Sequence, residues 1–210
     1  MANSFDQMPV RTALAAIARD FHSRGWMAGT AGNLSARSDE NDECFWITNS
    51  GLPKGSLDTD DLILIRSSDG EVQQRLRENA RPSAESSIHQ AIYTLFPAAR
   101  ACFHVHSVDG CIATERNSHN TTWIRLPPLE MLKGLDIWEE APRVDLSVFD
   151  NHLDVPAIAA EIRQRFSEQP PQIPALMIRN HGVTVWGETL QQAYNRVEIV
   201  EFIMSYMARR

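Results

Sequence analysis

The stretch ACFHVHSVDG, residues 101–110, places His104 and His106 one residue apart in what reads as a buried strand. In an extended strand successive side chains point to opposite faces, so Ala101, Phe103 and Val105 share one face and Cys102, His104 and His106 the other. Two imidazoles then project side by side, close enough to grip one ion. A pair alone makes a weak site, because a lone strand histidine is usually a satisfied structural residue. A third ligand changes the balance, and His181 supplies it. It sits in Asn180-His181-Gly182 between two apolar strands, where a turn would otherwise take a small or weakly polar residue. Three neutral imidazoles plus a water form the shell of a catalytic zinc with an open position. His22, His89, His119 and His152 have no partner pattern and read as structural.

Two glycine-bearing loops could serve a ligand of the opposite charge. GTAGNLSAR (29–37) and the turn NSGLPKG (49–55) are each ordinary turns when taken singly. Together they offer backbone N–H groups unshielded by Cβ, with Asn33, Ser50 and Lys54 as polar additions, which suits a small phosphate monoester. Neither matches GxxxxGK[ST] or GxGxxG, so no nucleotide is implied.

The elements that must position these residues follow from apolar spacing. Leu14, Ile17 and Phe21 recur at helical period and Gly25 stops that helix. CFWIT (44–48) and DLILI (61–65) read as strands. Pro82-Ser83 opens a helix carrying Ile88, Ala91, Ile92 and Leu95, which ends before Pro97. Residues 113–135 are loop-rich and carry no clear period. A short helix over 158–166, strands over 175–178 and 183–186, and an amphipathic helix over 190–207 complete the chain. This irregular alternation predicts a sheet sandwiched by helices rather than a strict βαβ series.

Composition limits the setting. With 210 residues and 43% hydrophobic content, the chain is expected to form a single domain over 1–210. A net charge of -7, from 27 acidic and 20 basic residues, argues against a nucleic-acid partner. Apolar runs such as 62–65 are a strand's length and far short of a membrane span, so no membrane partner is expected. Cys44, Cys102 and Cys111 form no CxxC pair, and the opening MANSFDQM lacks a basic and an apolar region, which predicts a cytoplasmic protein without a disulfide framework.

GTAGNLSAR, ITNSGLPKG, RPSAESSIH, FHVHSVDG and RNHGVTVWG, in this order, resemble the class II aldolase/adducin superfamily across nearly the whole chain. The resemblance implies a three-layer αβα fold around a central mixed, largely antiparallel sheet, and a homotetramer with sites at subunit interfaces. It implies one Zn2+ per subunit on His104, His106 and His181, and a phosphate pocket at Gly32, Asn33, Ser50, Gly51 and Ser83. Sugar-phosphate aldolases carry a serine where this chain has Ala84, so that pocket cannot transfer whole. LEMLKGLDIWEE (129–140) looks like a segment of the superfamily's dehydratase branch in methionine salvage, in which the residue at Glu130 is the acid/base. The aldolase branch instead uses the carboxylate matching Glu85, in RPSAE. The implied reaction is zinc-dependent loss of water from the sugar phosphate 5-methylthioribulose 1-phosphate. A class II sugar-phosphate aldolase or 4-epimerase, or a non-catalytic adducin-like module, are the alternatives.

Overall fold

The computed structural model describes residues 4–118 and 121–210. A nine-stranded sheet runs through the centre. Its strands are β1 (Asn33–Arg37), β2 (Cys44–Thr48), β3 (Leu62–Arg66), β4 (Val72–Arg75), β5 (Ala101–Val105), β6 (Trp123–Arg125), β7 (Asp145–Phe149), β8 (Ala175–Ile178) and β9 (Gly182–Gly187). They lie in the order β4-β3-β2-β1-β5-β9-β8-β7-β6. Among the described residues only β7 and β8 pair in parallel; the other neighbours are antiparallel.

Among the described residues five α-helices cover both faces: α1 (Val10–Ser23), α2 (Ser86–Leu95), α3 (Val108–Asn117), α4 (Val155–Glu168) and α5 (Leu190–Arg209). The period-2 alternation of each strand decides which core its side chains join. Ala101, Phe103 and Val105 of β5 pack with α1 and α5 in one apolar cluster, while Cys102 joins the second, under α2 and α4. α3 packs on α5, so one layer holds α1, α3 and α5 and the other α2 and α4. The expected three-layer αβα arrangement with a largely antiparallel mixed sheet is therefore present.

Several local expectations need correction. Residues 33–37, read as loop, form β1 in mid-sheet, because Leu34 and Ala36 alternate into the core between the more hydrophobic strands β2 and β5. The loop-rich segment 113–135 contains the second half of α3, then β6 and a 3-10 turn over Glu130–Leu135. α3 has only a weak apolar stripe, but Ser107 caps it by accepting from the Gly110 N–H at 2.9 Å. β4 and β7 also lacked a clear signal; β4 is an edge strand whose residues are mostly exposed. α2 starts at Ser86 rather than at Pro82. His119 lies outside the described residues.

Candidate metal centre and phosphate cavity

His104 comes from β5 on the face that looks toward α2. Its register partners are Asn33 on β1 and Thr184 on β9, so the three side chains form one row across the middle of the sheet. Thr184 Oγ1 meets His104 Nδ1 at 2.9 Å, which leaves Nε2 to point outward. His106 lies just beyond the end of β5, where its backbone N–H donates to the Trp26 carbonyl at 2.8 Å. The shared direction expected from strict strand alternation holds in effect, although His106 has left the strand. His181 precedes β9 in a turn made by Asn180 at φ 51, a left-handed conformation that asparagine tolerates. Asn151 Oδ1 sits 3.2 Å from His181 Nδ1 and again turns Nε2 inward.

The three rings converge. Their centroids are 4.5–5.0 Å apart: 4.8 Å for His104–His106, 5.0 Å for His104–His181 and 4.5 Å for His106–His181. Glu85, at the N-cap of α2, adds a carboxylate, with Oε1 2.8 Å from His181 Nε2 and 3.7 Å from His104 Nε2. One ligand atom from each of these four residues lies within 4.8 Å of all the others. A ring of three imidazole nitrogens and one carboxylate oxygen of that size fits a divalent ion of the nitrogen-binding class. Electrostatics agree with the fit. Burial pulls His104 down to about 4 and His106 down to about 3, so both are neutral at pH 7, the form that ligates metal. Burial also works against ionisation of Glu85, but His104 and His181 outweigh it and hold the carboxyl well below its ordinary range.

Beside this cluster lies a cavity of about 220 Å³ between the two glycine-bearing loops. Gly32, Asn33, Ser50 and Ser83 line it together with Glu85 and His106. Gly51, at φ 74, turns the second loop without lining the cavity. Gly32 is required on two counts: its φ of 77 is left-handed, and an added Cβ would stand 2.9 Å from the His104 carbonyl. Two side chains expected to face a ligand are occupied otherwise. Lys54 is 1% exposed and donates to the carbonyls of Thr30 at 2.9 Å, Leu52 at 3.1 Å and Asn49 at 3.5 Å. With three protons and three carbonyls it ties the loops together rather than presenting charge to a phosphate. The Asn33 amide donates to Glu85 Oε2 and, at 3.5 Å, to Ser83 Oγ.

Glu130 is placed apart from the cluster. It lies on the 3-10 turn, its side chain is 82% exposed, and it pairs with Lys133 at 2.6 Å. His22 bonds the Met27 carbonyl at 2.9 Å, and His152 is exposed. Thr184, Asn151 and His89 also belong to the surroundings of the cluster. Thr184 and Asn151 lack any sequence signal, since their partners are 80 and 30 residues away. His89 had one: Glu85, His89 and Tyr93 recur at i, i+4 and i+8, one face of a helix.

Fold and site together define a member of the class II aldolase architecture. The chain matches the family described as Class II Aldolase and Adducin N-terminal domain over residues 12–207, and it belongs to that family. Among solved structures it is similar to YgbL from Escherichia coli, with a TM-score of 0.75 and 25% identity over 93% of this chain and 86% of that one. It also shares its fold with an L-fuculose 1-phosphate aldolase, at a TM-score of 0.74 and 21% identity over 99% of this chain and 87% of that one. Within the family it is 54% identical, over 197 residues and 94% of both chains, to the methylthioribulose-1-phosphate dehydratase of Microcystis aeruginosa. The enzyme of the same name from Leptospira biflexa serovar Patoc is 39% identical over 90% of this chain and 92% of its own.

Proposed function

We infer that this chain is a lyase that removes water from 5-methylthioribulose 1-phosphate to give 2,3-diketo-5-methylthiopentyl 1-phosphate, a step of methionine salvage. The observation that carries this reading is the 54% identity to a dehydratase of that name over 94% of both chains. An adducin-like module without chemistry would have no reason to keep four converging ligand atoms. Zinc is the ion that three imidazoles and a carboxylate suit best. When bound, it supplies Lewis acidity to the C2 carbonyl and so acidifies the C3 proton.

The chain's own groups do the rest. His104, His106 and His181 present their ring nitrogens, and Glu85 Oε1 joins them as the fourth donor. The cavity lined by Gly32, Ser50 and Ser83 takes the 1-phosphate, and the Asn33 amide is the link between that cavity and Glu85. Binding the remote phosphate helps to hold C3 and C4 in place for proton transfer. Because Glu85 has both oxygens engaged, the acid/base role falls to Glu130. Its carboxylate takes the proton from C3 and returns one to the C4 hydroxyl as water leaves; the C3 enol then becomes the second ketone. An exposed Glu130 reaches a metal centre if a neighbouring copy brings one to it, as a homotetramer with shared sites would. Exposed apolar side chains on the packed pair α3 and α5, namely Val108, Phe202 and Tyr206, offer surface for such contacts.

Mass spectrometry of the product from 5-methylthioribulose 1-phosphate tests the reading. Loss of one water is expected. Cleavage into two fragments would mark an aldolase, an unchanged mass an epimerase, and equal turnover of the dephosphorylated sugar would remove the phosphate assignment.

A further inference from the structure

Behind Glu85 runs a string of buried polar groups, of which only Asn33 enters the metal or phosphate reading. Asn33, Ser35, His89 and Tyr93 are 2%, 0%, 0% and 2% exposed. His89 Nε2 bonds Asn33 Oδ1, while His89 Nδ1 lies 2.6 Å from Ser35 Oγ, which in turn lies 2.8 Å from the Tyr93 hydroxyl. Asn33 and Ser35 project from the same face of β1, and His89 and Tyr93 from the same face of α2. Four side chains from two elements thus interleave into one chain that ends on Glu85 Oε2.

Hydrogen-bond inventory gives this chain a single direction. An ionised carboxylate only accepts, so Asn33 must show it the NH2 group and keep Oδ1 for another donor. His89 supplies that donor from Nε2–H, and because complete burial keeps the ring neutral at pH 7 it does so as the Nε2–H tautomer. Its Nδ1 is then an acceptor, so Ser35 gives it the hydroxyl proton, and Ser35 Oγ accepts from Tyr93. A weaker alternative for the Ser35 proton, the Cys102 carbonyl, is 3.3 Å away. In the opposite tautomer the His89 Nε2 lone pair would face Asn33 Oδ1. The amide would turn over and set its oxygen against Glu85. A plain apolar residue at 89 would fill the volume yet leave Asn33 Oδ1 unsatisfied.

We propose that His89 is a positioning residue: as the Nε2–H tautomer it locks the Asn33 amide, and through it holds the Glu85 carboxylate with Oε1 turned toward the three histidines. This takes from the proposed function only that Glu85 works at the histidine cluster.

Two measurements test it, and the first needs no substrate. Long-range 1H–15N correlation spectra of the folded protein at pH 7 should show His89 neutral and protonated on Nε2. The Nδ1–H tautomer, or an imidazolium, overturns the proposal even if the dehydratase reading stands. The second compares His89→Gln, His89→Asn and His89→Phe. Glutamine can place its Nε2–H where the imidazole donor stood, so His89→Gln should keep kcat within about fivefold. Asparagine falls short of Asn33 and phenylalanine cannot donate, so both should lose roughly 10²-fold in kcat with little change in KM, as for a displaced active-site group. Equal losses in all three variants, tracking their melting temperatures, would reduce His89 to a packing residue. An absence of dehydration in the wild type itself would defeat the proposed reaction and leave the tautomer result to judge His89.

Discussion

Three imidazoles with centroids 4.5–5.0 Å apart would repel one another strongly if charged, and burial removes that conflict by keeping His104 and His106 neutral. At the scale of single residues the prediction is therefore about shared ligation. His104→Ala, His106→Ala and His181→Ala should each lower zinc affinity by more than the 10- to 100-fold that loss of an outer hydrogen bond costs a metal site, measured by chelator competition. Full occupancy in one of them removes that residue from the shell. The two glutamates separate by a different readout. Glu130→Gln should keep its metal while kcat falls by about 10²- to 10⁴-fold, the scale of general acid-base catalysis. Glu85→Gln should lose metal affinity as well, because it exchanges an anionic oxygen for an amide. Deuterium incorporation at C3 checks the division of labour: exchange surviving in Glu130→Gln but vanishing in metal-loaded Glu85→Gln would hand the base role to Glu85.

At the scale of elements, the site depends on how closely β1, β5 and β9 approach. Gly182 opens β9 against Val105, and an added Cβ would lie 2.2 Å from the Val105 carbonyl. Unlike a clash with a flexible side-chain end, this one meets backbone, so the strands must part. Gly182→Ala should cost about 1–3 kcal/mol, as overpacking does, and should also loosen metal binding because His181 is the adjoining residue. Urea unfolding and metal titration on the same variant read both effects; a stable, fully loaded protein would show that the β5–β9 spacing is not critical. The helix α2 was foreseeable in existence but not in its start, because Pro82-Ser83 is a legitimate helix opening. The chain delays that opening to Ser86, with Ser83 Oγ accepting the Glu85 N–H at 3.3 Å.

For the whole molecule, buried titratable groups set how stability responds to pH. Folding lowers His89 and His104 to about 4 and His106 to about 3, all from 6.5. The unfolded chain takes up these protons first, so stability is full above about pH 6.5 and is lost as pH falls toward 4. Glu201 on α5 acts oppositely, its buried carboxyl raised to about 7 from 4.5, so its contribution is lost as pH rises through 7. Three groups outweigh one. Metal-free protein should lose roughly 1.4 kcal/mol per pH unit for each net proton on acidification from 6.5 to 4.5, and Glu201→Gln should be the more stable form at pH 8. A flat unfolding profile across that window would contradict the buried, neutral state of the histidines. Assembly gives a second prediction at this scale. Mixing dead His104→Ala and Glu130→Gln subunits by unfolding and refolding should restore activity, up to about a quarter of the sites if each site draws on two copies. No recovery in verified mixed oligomers would place Glu130 at its own subunit's metal or outside the chemistry. Among the described residues no helix is long and apolar enough to cross a membrane.

Residue type and short-range spacing made the local features of the site legible in the amino-acid sequence alone. The histidine pair, the third histidine in its Asn-His-Gly turn, the two glycine-bearing loops and the layered fold were legible because strand alternation, helical period and glycine's left-handed φ act within a few residues. Only the tertiary structure decided which groups meet across long separations. It set Asn33, His104 and Thr184 in one cross-strand row. It spent Lys54 on backbone carbonyls, brought Glu85 to the imidazoles, and left Glu130 on the surface beside Lys133. The physical reason is that a buried polar group must find a partner wherever the fold supplies one. His89 and Asn33, 56 residues apart, acquire their shared role only once β1 and α2 have packed.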